Sequence, residues 1–125
     1  MKANELTIGD WVSLPNCEHI KVDAVHRRKI GVHHRKDKLQ WYFEGSINPI
    51  PLTKEILEKN FGQRRGKGGV FFHFIGSNGI CDYIIEYYKE DFGFCRDHGG
   101  LLCRIKYVHQ LQHLLRLCEI EDLKL

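Results

Sequence analysis

The chain has 125 residues, 42% of them hydrophobic and 28% charged, with three prolines. That length allows a core burying about two-thirds of the unfolded surface, so neither a disulfide framework nor a structural metal is needed for folding. Nineteen basic against sixteen acidic residues give a net charge of +3, which excludes a polycation, an acidic tail and a disordered polyampholyte. The average conceals an uneven distribution. Residues 26–38 (HRRKIGVHHRKDK) carry six Lys/Arg and one Asp, so this segment holds +5 and the rest of the chain −2.

The first half reads as short strands. Ile8–Val12 is an apolar run broken at Pro15-Asn16, and His19–Val25 alternates with Ile20, Val22 and Ala24 on one face. Lys29–His34 and Leu39–Glu44 are two further strands flanking a charged turn at Arg35–Lys38. Such a series predicts a small bent sheet or SH3-like barrel over residues 1–47. Asn48-Pro-Ile-Pro-Leu52 is then extended, because each proline biases its predecessor away from the helix. Thr53 is placed as the N-cap of a helix over Lys54–Phe61, with Gly62 as its stop and Leu52 positioned to staple onto Leu57.

Residues 62–69 (GQRRGKGG) read as a flexible basic loop. Val70–Ile75 and Ile80–Tyr88 follow as strands around the Asn78-Gly79 hairpin signal. Phe92–Cys95 and Leu101–Ile105 pair across a DHGG turn, completing an antiparallel meander. Ile105, Val108, Leu111, Leu115 and Cys118 recur at helical spacing, widened by Leu114 and Leu117, with His109, Gln110, His113 and Arg116 largely outside the stripe. The expected fold is therefore α+β. It forms a single compact domain over 1–125, with a barrel-like part over 1–47 and a helix, meander and C-terminal amphipathic helix over 48–125.

Three segments, Asn4-Glu-Leu-Thr-Ile-Gly-Asp-Trp-Val12, Asn48-Pro-Ile-Pro-Leu-Thr-Lys-Glu-Ile-Leu57 and Ile105-Lys-Tyr-Val-His-Gln-Leu-Gln-His-Leu114, carry a resemblance. Together they resemble a family of small uncharacterised proteins common in gut Bacteroidetes genomes, their phages and mobile elements. Leu117-Cys-Glu-Ile-Glu121 departs from the Thr-Gly-Glu-Glu-like turn usual there. The resemblance implies a bacterial or phage cytoplasmic setting and no particular chemistry. Gly9-Asp10-Trp-Val12 also resembles the opening strand of SH3-like barrels. The segment MKANELTIGD lacks the apolar core of a signal peptide, and no stretch reaches the ~18–20 apolar residues of a membrane span. Five cysteines without a dense framework are then expected to be reduced thiols in a cytoplasm.

The basic hairpin is the leading functional feature. Arg27, Arg28, Lys29, Arg35, Lys36 and Lys38 cluster at strand ends and a turn, with His26, His33 and His34 interleaved. Such a cluster neutralises phosphates and releases counterions, the sequence-independent part of nucleic-acid binding. Trp41 and Phe43 on the adjacent strand offer a stacking face; the alternative places Trp41 in the core. Arg64, Arg65 and Lys67 add a second basic segment. The partner expected is nucleic acid or a nucleic-acid-associated protein, with no membrane. A protein-binding accessory or inhibitor of phage or mobile-element origin, acting on a host protein, is the alternative.

Cys95, His98, Cys103 and His109 offer two thiols and two imidazoles within fifteen residues, the ligand types of a tetrahedral zinc site. Ligand order differs from a zinc knuckle, and cysteine is commonly a small buried apolar residue, so a zinc-stabilised module is a third reading and no cofactor is favoured. Lys67–Phe74 echoes an RNA-recognition strand, but Gly69 stands at an aromatic position. The glycines of 62–68 lack the spacing and Ser/Thr of a P-loop. Nucleophile-elbow, HExxH and dinucleotide motifs are absent, and Cys17 near His19 has no third group. The expectation is a non-enzymatic protein.

Overall fold

The structure, a computed structural model, describes residues 1–35, 38–62, 64–65, 71–97 and 99–125. The protein is α+β, and among the described residues its strands form three antiparallel sheets. The chain divides after Ile50 into two compact units, Met1–Ile50 and Pro51–Leu125, within the Asn48–Leu52 connector.

The first unit contains β1 (Trp11–Ser13), β2 (His19–Lys21), β3 (Ala24–His26), β4 (Lys29–Arg35), β5 (Lys38–Phe43) and β6 (Asn48–Pro49), with single 3-10 turns at Ala3–Glu5 and Glu44–Ser46. One sheet has the order β2-β1-β6 and the other β3-β4-β5. Val12, Leu14, Val22, Ile30, Val32 and Ile47 fill the shared core.

The structure corrects two local expectations. Ile8 is 68% exposed and outside the strand, because Gly9, at φ 94°, turns the chain. Buried Asp10 fixes that turn by accepting the Thr7 N–H at 2.9 Å. The alternating run His19–Val25 is two strands with a corner between them. Val22 N–H donates to Asp10 O on the β1 side, whereas Asp23 N–H donates to Gly31 O on β4. Successive residues thus bond to different sheets, which a single flat strand cannot do.

The second unit contains α1 (Lys54–Phe61), β7 (Arg64–Arg65), β8 (Phe71–Ser77), β9 (Asp82–Tyr87), β10 (Phe92–Arg96), β11 (Gly100–Ile105) and α2 (Val108–Leu117). The sheet is a meander of order β11-β10-β9-β8-β7. Thr53 caps α1 by accepting the Ile56 N–H on Oγ1 at 3.2 Å, and Gly62, at φ 67°, closes it. Asn78 shapes the β8–β9 turn, its Oδ1 accepting the N–H groups of Ile80 and Cys81 at 3.0 and 2.9 Å. His73, fully buried on β8, bonds through Nδ1 to the Gly62 carbonyl and through Nε2 to the Tyr87 hydroxyl. A carbonyl only accepts, so Nδ1 is assigned the proton on the Gly62 side.

Here too the structure departs from the sequence pattern. Arg64 and Arg65, expected in a loop, pair with Phe72 and Phe71 across β7–β8. On α2, His109 and Gln112 are buried while Leu117 is 79% exposed. For Gln112 the cause is the segment after the helix. Glu119 adopts φ 57° and reverses the chain, Asp122 receives Gln112 Nε2 at 3.2 Å on each oxygen, and Leu123 is buried. Gln112, a polar residue, is thus held by the chain's own tail. Among the described residues no helix is long and apolar enough to cross a membrane.

Candidate nucleic-acid interface

Strand register decides which face of the basic hairpin meets solvent. On β4, Ile30 and Val32 are fully buried, and β-alternation therefore turns Gly31 and His33 to the opposite face. Their partners follow. Tyr42 lies across from Ile30 and Gln40 from Val32, while Trp41 lies across from Gly31 and Leu39 from His33. The consequence departs from the usual preference: the more apolar side of β5 faces outward, and on the other side Gln40 is exposed as well. Leu39, Trp41 and Phe43 are 37%, 43% and 51% exposed, a contiguous apolar surface of the kind that marks a binding site. Gly31 makes room for it. A Cβ there would meet Leu39 Cδ1 at 3.0 Å and Ala24 Cβ at 3.2 Å, so its absence lets Leu39 lie across β4 beside Trp41.

The cations rim this face. Arg27 and Arg28 form the two-residue β3–β4 turn, with Arg27 at φ 56°, and Lys29 stands opposite Phe43. The Arg28 guanidinium lies 5.1 Å from the centroid of the Phe43 ring, and His26 meets Trp41 edge-on at 6.4 Å. His26, Arg27, Arg28, Lys29 and Phe43 together line a concavity of about 340 Å³, within the size range of small-ligand sites. Lys38 is exposed at the start of β5 and pairs with Arg35. Lys36 lies outside the described residues.

Two carboxylates set the local charge. Glu44 accepts the Ala3 N–H at 2.8 Å and Arg28 Nε at 2.9 Å, and these two bonds, the first the stronger, hold its carboxyl below the ordinary glutamate range. Asp23 is likewise lowered, chiefly by the His33 side chain at 2.8 Å. Arg28 is thus half-neutralised, whereas Arg27 and Lys29 have no ion-pair partner among the described residues. No local signal marks Glu44 as part of the site, since its partners lie 41 and 16 residues away. Its depressed pKa has a definite sign. Stabilisation by Glu44 is present above the ordinary glutamate range and is lost as the pH falls through its lowered folded value. Glu44→Gln should therefore lower the melting temperature at neutral pH, with the gap from the unaltered protein closing in acid; melts at both pH values check this.

The other sequence candidates are placed elsewhere. Arg64 and Arg65 lie on β7 in the second unit, and Lys67 is outside the described residues. Cys95 is buried on β10, where burial first and Glu86 second push its thiol up to about 11. Cys103 pairs with Phe94, the neighbour of Cys95, so alternation sets the two thiols on opposite faces of the sheet. His109 is buried on α2, and His98 lies outside the described residues. Among the described residues no group of three or more His, Cys, Asp or Glu is placed to hold a metal ion. No protein-family model, no curated protein and no solved structure matches this chain.

Proposed function

We propose that the protein is a non-enzymatic interaction module that binds nucleic acid through the β3–β4–β5 hairpin. The observation carrying this reading is the concavity at the β3–β4 turn, where Arg27, Arg28 and Lys29 stand around Phe43 and, among the described residues, Glu44 bonds Arg28 alone of the three. Arg27 and Lys29, which have no carboxylate partner among the described residues, favour phosphate over a neutral ligand at this exposed turn, and the gain comes from counterion release. Three or four phosphates engaged by Arg27, Arg28, Lys29 and Lys38 would give a log affinity against log salt slope of about −2 to −3 for a single strand. Titration of labelled oligonucleotides over a salt series measures this slope directly. A slope near zero, or affinity retained in high salt, would reject phosphate recognition and leave a protein partner as the reading to pursue.

A further inference from the structure

The hairpin's cations suit any nucleic acid, but its aromatic rings suit one form of it. Trp41 and Phe43 stand two residues apart on the same face of β5, about 7 Å from each other at the rise of an extended strand. Bases within a duplex strand repeat at about 3.4 Å, and their flat faces are covered by their neighbours. A duplex therefore has nothing to offer two rings at this spacing, whereas an unstacked strand can lay one base on each.

Resting on the nucleic-acid reading above, we propose that the outer face of β3–β4–β5 is a site for single-stranded nucleic acid. One base stacks on the Phe43–Arg28 surface with its phosphate in the Arg27–Lys29 concavity, and the adjacent base stacks on Trp41. Three observations support this occupant. The two rings are exposed on the face opposite to buried Ile30 and Val32, although they are the largest apolar side chains of β5. The Arg28 guanidinium lies over the Phe43 ring, and guanidinium planes also stack on bases. Arg27, Arg28 and Lys29 gather at the Phe43 end of this face, which suits an anionic chain better than the apolar surface of a protein partner.

The test uses the full chain, a labelled short oligothymidylate and a duplex of equal length as competitor. Trp41→Leu removes the ring at an exposed position, and Trp41→Phe keeps a stacking surface. Binding of the single strand should quench tryptophan emission and resist duplex competition. Trp41→Leu should weaken it roughly 5- to 150-fold, while Trp41→Phe retains most of the affinity. Equal melting temperatures for the three proteins would confirm that folding is unchanged. If the oligothymidylate binds Trp41→Leu as tightly as the unaltered protein, or the duplex competes equally, the stacking proposal falls and backbone recognition stands. If neither form binds at low salt, both readings fall.

Discussion

Replacing Arg27 and Lys29 together by glutamate is expected to weaken oligonucleotide binding by roughly 100-fold at about 0.1 M salt. A charge pair about 4 Å apart in water is worth about 1 kcal/mol. Reversing two cations removes two attractions and adds two repulsions, about 4 kcal/mol before screening. A Debye length of about 10 Å leaves about two-thirds of that at contact distance. Both side chains are exposed and lack ion-pair partners among the described residues, so stability should move by no more than about 0.5 kcal/mol. That separation makes the pair more informative than Arg28, whose removal would also strip Glu44 of a hydrogen bond. Fluorescence anisotropy with the double variant, beside a melting curve, measures both quantities. Unchanged affinity would place the binding surface elsewhere.

Phe94→Ala should destabilise the protein by about 3–5 kcal/mol. Phe94 is 1% exposed at the centre of the meander, with its ring stacked on Tyr83 at 5.4 Å and 22°. Truncation loses the transfer energy of the ring and leaves a cavity between strands whose hydrogen bonds prevent collapse. The loss is a large part of the 5–15 kcal/mol that holds a typical domain folded. In urea, where small proteins show slopes of about 1–3 kcal/mol per molar, the midpoint should fall by more than about 1 M. Phe94→Leu fills most of the space and should cost less than half as much. A shift for Phe94→Ala no larger than that for Phe94→Leu would mean that the site relaxes around the cavity.

Elements defined by neighbours in the chain were legible in the residues. Thr53, the apolar positions of Lys54–Phe61 and Gly62 mark a helix that the structure places at those bounds. Asn78-Gly79 marks the β8–β9 turn, and Phe92–Cys95 with Leu101–Ile105 the last hairpin. Such signals arise from sterics and hydrogen bonds within a few residues, so the sequence carries them almost unaltered. The corner at Val22-Asp23 was hidden because alternation continues through it while the bonding partners change. The burial of Gln112 was hidden because its partner Asp122 lies ten residues further along the chain.

The candidate site divides in the same way. The concentration of positive charge over residues 26–38 is a property of composition, visible without any structure. That the apolar side of β5 meets solvent is not. Period-two alternation separates Leu39, Trp41 and Phe43 from Gln40 and Tyr42, and hydrophobicity by itself would bury the first set. Only the pairing of β5 with β4, whose Ile30 and Val32 occupy the core, turns that set outward. Local sequence thus determined the helices, the turns and the place of the charge. Tertiary structure decided the exposed aromatic face and the carboxylate beside Arg28, because burial depends on what packs against a face and no stretch of chain encodes its distant neighbours.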